Sequence, residues 1–167
     1  MGDIRVVFGY KCFNGDLTNN YGFKFEVGNS YNVSGIIKFG IGGNGFHMCE
    51  RLEDTLRYFD AMNFDVSICE VVGNGKSVSF SDEYNGYYDM YCVEEMSIIR
   101  KLNREEIISM MLKVNEIRVL RFLQLYKLNE DEIRLFKNRF KNYINVLDMI
   151  DYYQYGIKDV YSRKYIK

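Results

Sequence analysis

The sequence predicts an α+β protein in which a small mixed or antiparallel sheet is followed by a C-terminal helical extension. Up to residue 102, short runs of β-branched and aromatic residues alternate with Gly/Asn turns, which is the pattern of strands. From residue 103 onward, apolar residues recur at helical spacing instead. We therefore predict a core domain at 1–102 and a helical extension at 103–167, packed on or beside the core.

The predicted strands are, in chain order, IRVVFGYKCF, YGFKFEVG, SYNVSGIIKF, DVSICEVVG, KSVSF and EMSIIRKL. The chain contains no Pro, so Gly and Asn must supply the turns, as in FNGD, GGNG and GNGK. One helix is predicted in this half. It begins near Glu50, with Leu52 and Leu56 on its apolar face and Glu53 and Arg57 on the opposite face.

The C-terminal part is predicted to form three or four helices. Asn103 with Glu106, and Asn129 with Glu132, have the spacing of a capping box, in which an asparagine and a carboxylate satisfy free N–H groups at a helix start. No internal repeat is apparent in the sequence.

Composition limits the function classes. The formal net charge of -1 lacks the positive field that binding to nucleic acid or anionic membranes needs. No apolar run is long enough for a membrane span, and the N-terminal residues do not have the pattern of a signal peptide. We expect a cytoplasmic protein, in a host cell if the gene is viral. In a reducing compartment its widely spaced cysteines, Cys12, Cys49, Cys69 and Cys92, are expected to be buried free thiols.

The stretch GIGGNGFHMCERLEDTLRYF, residues 40–59, holds the chain's single histidine next to a glycine cluster. A phosphate-binding loop needs Lys and then Ser or Thr after its last glycine, and Phe46 and His47 stand there instead, which excludes that site. His47 and Cys49 could both ligate zinc from one side of a strand, but only with distant cysteines. A tight turn that requires positive φ explains the glycines without any ligand.

Five segments of the first half, GYKCFN, YGFKFEVGNSYNV, GFHMCERLEDTLRYF, SICEVVGNG and EEMSIIRKLNREEI, resemble a family of uncharacterised small domains of phages and bacteria. The resemblance covers roughly residues 8–106. The same stretch is similar to the N-terminal domains that precede ankyrin repeats in some giant-virus proteins.

The layout also resembles, more remotely, the catalytic core of ADP-ribosyltransferases. That resemblance implies that Tyr10 or Lys11 occupies the first-strand position, and that Glu94 or Glu95 occupies the glutamate position. It further implies a cofactor-binding motif at Gly43, Gly45, Phe46 and His47. NAD would then be the cofactor, with Glu95, His47 and Tyr10 as catalytic residues, and a degenerate, inactive site is the other outcome that the resemblance allows.

Two functions of different classes follow from the sequence. The first is an ADP-ribosyltransferase-like domain that binds NAD and modifies a macromolecule. The alternative is a non-enzymatic viral or phage module that binds a protein partner or a second copy of itself through its C-terminal helices. The last residues alternate basic and aromatic side chains, which favours a contact surface or a solvated tail over nucleic-acid binding; they are Tyr152, Tyr153, Tyr155, Tyr161, Arg163, Lys164 and Tyr165.

Overall fold

A computed structural model describes residues 3–40, 42–81 and 89–156 of the chain. It divides the protein into two compact units. One contains the residues up to Phe59 together with Phe64–Leu102, and the other contains Asp60–Asn63 together with the residues from Asn103 onward. The prediction of an α+β fold with its helices C-terminal to an antiparallel sheet is confirmed. Among the described residues, no helix is both long enough and apolar enough to cross a membrane.

The first unit is a six-stranded antiparallel sheet. Its strands are β1 (Asp3–Ile4), β2 (Val7–Asn14), β3 (Ser30–Asn32), β4 (Phe46–Cys49), β5 (Val66–Ser81) and β6 (Asp89–Lys101). They lie in the order β1-β5-β2-β4-β6-β3, and β5 also pairs with β6. Because β2 pairs with β5, β5 with β6, β6 with β4 and β4 with β2, these four strands close into a ring.

Several predicted strands differ from the observed ones. The segment YGFKFEVG forms no strand and contributes only the isolated bridge Thr18–Lys24, and β3 keeps only the start of SYNVSGIIKF. The predicted turn GNGK is instead an irregularity inside β5, where the register with β6 shifts between Asn74 and Ser77. Gly75 lies there with φ +78, so the glycine allows a bulge within one long strand rather than a turn between two.

The core of this unit lies inside the ring. Alternate residues of the strands point inward and pack with Phe25, which is 3 % exposed and whose ring lies 5.1 Å from that of Phe13. The buried members of this core are Val7, Phe13, Phe25, Met48, Cys69, Val71, Tyr91, Val93, Met96 and Ile98. Burial of ten such side chains is the main force that holds the ring closed.

A 3-10 helix at Leu52–Tyr58 covers the outer face of β2 and β4. The sequence predicted an α-helix from Glu50 with Glu53 on its polar face, and this prediction is wrong. Glu53 is 1 % exposed and Asp54 is fully buried, along with Leu52 and Leu56. A 3-10 helix has three residues per turn, so its side chains form three rows along the helix. Here more than one of these rows packs against other parts of the protein, which is why residues next to each other in sequence are buried together.

The second unit contains α1 (Arg104–Met111), α2 (Glu116–Leu125), α3 (Glu130–Arg139) and α4 (Ile144–Met149), followed by a π-helical turn at Ile150–Gln154. Both predicted capping boxes are present. Asn103 accepts a hydrogen bond from the Glu106 N–H and the Glu106 carboxylate accepts from the Asn103 N–H, and Asn129 and Glu132 repeat the arrangement. Of the predicted C-terminal contact surface, Tyr161, Arg163, Lys164 and Tyr165 lie outside the described residues.

The two helix pairs α1–α2 and α3–α4 share a short sequence pattern. The first helix of each pair starts with a capping box that is followed directly by an isoleucine, Ile107 or Ile133. The second helix of each pair contains the dipeptide Val-Leu, at 119–120 and at 146–147. Ile107, Ile133, Val119 and Val146 are all buried. The spacing between the capping box and the Val-Leu dipeptide differs by one residue between the two pairs.

A buried glutamine joins the second pair to the first. Gln154 is 5 % exposed, and its side-chain nitrogen donates to the carbonyls of Leu123 and Tyr126, each at 2.8 Å. Its side-chain oxygen accepts from the N–H of Leu128 at 2.9 Å. The Gln154 side chain therefore holds the last turn of the unit against the end of α2, and its buried polar atoms are hydrogen-bonded within the protein.

Candidate functional site

The glycine stretch ahead of β4 is a tight loop held by backbone contacts. Lys38 and Asn44 form an antiparallel bridge, and the Asn44 amide donates to the carbonyls of Ser34 at 2.7 Å and Ile36 at 3.2 Å. A Cβ at Gly43 would lie 2.7 Å from the Gly40 carbonyl oxygen. Glycine at 43 is therefore required by the loop itself.

Glycine is required at position 45 both by the atoms packed around it and by its positive φ. Its φ is +122, and a Cβ there would lie 2.6 Å from the Cys92 sulfur and 3.1 Å from the Val93 carbonyl oxygen. The structure of the loop therefore explains glycine at positions 43 and 45 without a cofactor, and their predicted role in cofactor binding stays a prediction.

Phe46 and His47 point to opposite sides of β4. Phe46 packs inward against the core, with its ring 6.4 Å from that of Phe25. His47 faces outward, half-buried, with its ring 5.4 Å from that of Phe39. Burial lowers the pKa of His47, and the charge of the nearby Lys11 lowers the pKa further, so the imidazole is neutral at pH 7.

Tyr10 and Lys11 lie on β2 beside His47. Tyr10 pairs with Cys49 and shares the outward face with His47. Lys11 lies between the inward-facing residues of β2, and its Nζ donates to the His47 carbonyl oxygen at 2.6 Å. We call this place the β2–β4 seam: the register pair Tyr10–Cys49 together with the bond from Lys11 to His47. The structure thus brings Tyr10 and His47 together on one face, with Lys11 next to them on the opposite face of β2.

Glu95 lies elsewhere on the sheet. It is exposed on β6, opposite Asn32 of β3 and Asn74 of β5, three residues beyond the Cys92 that pairs with His47. That spacing corresponds to about 10 Å along a strand. In the part of the chain that the structure describes, no contact joins Glu95 to His47. The alternative glutamate, Glu94, accepts a hydrogen bond from the Lys76 N–H at 2.9 Å beside the β5 bulge.

A groove of about 530 Å³ lies in the helical unit, between the α1–α2 turn and the α3–α4 turn. Two cations line it, and its apolar wall includes Ile117, which is 73 % exposed, and Tyr143, which is 42 % exposed. The full lining is Lys113, Val114, Asn115, Glu116, Ile117, Arg139, Phe140 and Tyr143. We call this feature the turn groove.

The walls of the turn groove are built from equivalent positions of the two helix pairs. Lys113 and Arg139 lie at the same distance from their capping asparagines. Arg139 is fixed by a hydrogen bond from its Nε to the Leu112 carbonyl at 3.1 Å and by the Phe140 ring, 4.7 Å from its guanidinium carbon. No carboxylate forms an ion pair with Lys113 or Arg139 among the described residues, so both charges are available to a ligand.

A known protein family matches the part of the chain that forms the sheet and does not match the residues of the turn groove. The family described as a domain of unknown function, DUF7666, matches residues 7–110. The chain belongs to this family. Neither the comparison with curated proteins nor the comparison with solved structures gives a match. The expectation of an uncharacterised small-domain family is confirmed, and the DUF7666 domain contains β2 to β6 and most of α1, hence the whole β2–β4 seam.

Sequence reasoning missed two features. The buried acids Glu53 and Asp54 carry no sequence signal, since their spacing fits the polar face of a helix. The turn groove does carry one: Lys113 with Val114 and Arg139 with Phe140 are cation–apolar pairs in register with the two capping boxes. For the zinc alternative, residues 3–40, 42–81 and 89–156 contain no group of three or more His, Cys, Asp or Glu placed to hold a metal ion.

Proposed function

We propose that this protein is an interaction module whose turn groove binds an acidic segment of a partner protein. The observation that carries the proposal is the pair of cations, Lys113 and Arg139, repeated on the two helix pairs without carboxylate partners in the described structure. The groove volume of about 530 Å³ is in the range of binding pockets. Stacked helical pairs commonly present such surfaces to other proteins.

The chemistry of the groove specifies the ligand class. The lining holds two cations, Lys113 and Arg139, and one carboxylate, Glu116, so it keeps an excess of positive charge. The exposed side chains of Ile117 and Tyr143 offer apolar surface beside these cations. A peptide that combines carboxylates with aliphatic or aromatic side chains satisfies both parts.

Fluorescence anisotropy with a labelled peptide of alternating glutamate and leucine tests this proposal. We expect saturable binding that weakens at least tenfold in Lys113→Glu and weakens as salt rises, because the contact is electrostatic. Lys24→Glu is the matched control, since Lys24 is exposed and lies in the first unit. Equal binding by both variants, or equal binding of a peptide with glutamine in place of glutamate, would overturn the proposal.

A second candidate function is NAD binding by the DUF7666 domain, as the resemblance to ADP-ribosyltransferases implies. The placement of Tyr10 and His47 on one outward face of the β2–β4 seam favours it. The outward rings of Tyr10 and His47 offer a surface on which nicotinamide would stack, whereas the Lys11 amine is bonded to the His47 carbonyl. Glu95, the carboxylate that the resemblance assigns to the charge developing at the nicotinamide–ribose bond, lies about 10 Å along β6 from this face and would have to act on a different part of NAD.

Isothermal titration of NAD into the protein tests this second candidate. Saturable binding that His47→Ala weakens and Glu105→Ala leaves unchanged would support it, because Glu105 is an exposed acid on α1, outside the seam. Glu95→Ala is expected to reduce NAD hydrolysis more than NAD binding. Absence of binding at millimolar NAD would reject this function without affecting the proposal for the turn groove.

A further inference from the structure

The starts of α1 and α3 form a negatively charged end of the helical unit. They lie side by side, because Arg104 of α1 donates hydrogen bonds to both carboxylate oxygens of Glu132 of α3, at 2.6 and 2.8 Å. The first turns of the two helices carry five acids, Glu105, Glu106, Glu130, Asp131 and Glu132. The cations whose contacts place them at these turns are fewer, namely Arg104, Lys127 and Arg134. We call this surface the acidic end.

The turn groove lies at the opposite end of the same two helices. Arg139 Nε donates to the Leu112 carbonyl at 3.1 Å, so the last turns of α1 and α3 are neighbours as well. The two helices therefore run side by side in the same direction. α1 has eight residues, which corresponds to a length of about 12 Å. Negative charge at the helix starts is thus separated by this length from the positive charge of Lys113 and Arg139.

The charges at the two ends also match in spacing. Glu105 and Asp131 occupy the same position after their capping asparagines, and so do Lys113 and Arg139. Because α1 and α3 are parallel neighbours, a similar interhelix distance separates the two acids at one end and the two cations at the other. Asp131 already contacts Arg134 at 2.9 Å, but this is an exposed pair of the weak kind. The acidic end therefore fits the cations of the groove in both charge and spacing.

The acidic end also presents an aromatic side chain. Tyr155 is 42 % exposed, and its hydroxyl donates to Glu130 at 3.1 Å. Lys137 lies 5.0 Å from the centre of this ring, and its charge is paired with Asp151. Carboxylates beside an aromatic ring are the ligand chemistry that the turn groove requires, since its own lining combines cations with exposed apolar side chains.

We propose that the acidic end of one copy of this chain binds in the turn groove of a second copy. This inference rests on the proposed function of the turn groove and names the partner. The two surfaces differ, so a pair of copies still has one unoccupied groove and one unoccupied acidic end. Further copies therefore add head to tail, and the assembly grows with protein concentration.

Sedimentation velocity of the full chain tests this inference. We expect the mass to rise beyond that of two chains as concentration increases at low salt. In about 1 M salt, where the Debye length is about 3 Å, the mass should return to that of a monomer. Absence of any species larger than the monomer at low salt and up to about 1 mM protein would overturn the inference.

Two charge reversals separate the two surfaces. Lys113→Glu disables the groove and Glu105→Lys disables the acidic end, so each variant alone is expected to stay monomeric. An equimolar mixture should form particles of two chains and no larger, because one variant keeps its acidic end and the other keeps its groove. A mixture that stays monomeric, or single variants that assemble like the unmodified chain, would contradict the head-to-tail contact.

Matched controls carry the same charge changes in the first unit. Lys24→Glu and Glu26→Lys alter exposed residues there and should assemble like the unmodified chain. Loss of assembly in these controls would show that net charge, and not the two surfaces, drives it. Glu105→Lys should still bind the glutamate–leucine peptide because its groove is intact. Peptide binding without self-association would therefore reject a second copy as the partner and leave the proposed function in place.

Discussion

Gly45 and Gly28 show how the same backbone conformation can have different costs at two positions. Both have positive φ, +122 and +89, which disfavours any side chain. A Cβ added at Gly28 would meet no atom within 4 Å, whereas a Cβ added at Gly45 would lie 2.6 Å from the Cys92 sulfur. Cys92 has no exposed surface and little room to move. Gly45 is therefore constrained by packing as well as by φ.

We expect Gly45→Ala to lower the free energy of unfolding by about 3 kcal/mol, since backbone strain and overpacking add. Gly28→Ala is the control and should cost about 1 kcal/mol, from strain alone. Urea denaturation followed by circular dichroism measures both values. Equal costs for the two substitutions would show that the loop moves away from Cys92 and that the close packing is not essential.

Glu132 links the two helix pairs at the level of elements. It closes the capping box of α3 and also binds Arg104, the first residue of α1, through Oε1 at 2.6 Å and Oε2 at 2.8 Å. Arg104 in turn donates to the Lys127 carbonyl at 2.6 Å. Burial alone would raise the pKa of Glu132, but the hydrogen bonds from Arg104 and from the Asn129 backbone, with the Arg104 charge, lower it overall.

This lowered pKa predicts a pH dependence of stability. The folded state binds the Glu132 proton more weakly than the unfolded state, so its contribution is complete above the ordinary value of 4.5 and is lost as pH falls through the lower folded value. Glu132→Gln should destabilise the protein by about 1–2 kcal/mol at pH 7 and by less at a pH below 4.5. Thermal unfolding of both proteins across this range measures the difference.

Asp131→Asn is the control for that experiment. Asp131 is an exposed neighbour on α3 that pairs with Arg134 at 2.9 Å, and surface pairs of this kind contribute little. A loss of stability in Asp131→Asn as large as in Glu132→Gln, or a loss in Glu132→Gln that does not change with pH, would contradict the role given to the Arg104–Glu132 contact.

Across the whole molecule, the four cysteines are buried free thiols. None is more than 3 % exposed. Burial raises the pKa of Cys12 and Cys49 to about 12, and that of Cys69 and Cys92 to about 11. Since only the thiolate reacts readily, these cysteines are packing residues in the native state.

Thiol titration with a disulfide reagent at pH 8 should therefore detect almost no reaction in the folded protein and four thiols in 8 M urea. Cys69 lies in the core inside the ring, so its slow native labelling should report opening of the ring, whereas Cys12, Cys49 and Cys92 lie on the outer face of the strands and should be labelled when the segments that cover them open. A thiol that reacts in the native protein as fast as a free thiol would show that the surrounding chain does not protect it.

Much of the fold was predictable because it depends on local rules. Periodicity separates the sheet-forming part from the helical part, and both capping boxes follow from the spacing of Asn103 with Glu106 and Asn129 with Glu132. The site was predictable only in part. Tyr10, Lys11 and His47 meet, yet nothing local indicates that Phe46 turns into the core or that Glu95 lies about 10 Å further along β6.

The sequence by itself determined the fold class, the two capped helix starts at Asn103 and Asn129, and the absence of a strong overall charge. Tertiary structure alone decided that β2, β4, β5 and β6 close into a ring, that Glu53 and Asp54 are buried, that burial lowers the pKa of Lys11 and that two helix pairs form the turn groove. The reason is physical: propensity and capping act within a few residues, whereas strand pairing, burial and desolvation depend on chain segments that are distant in sequence.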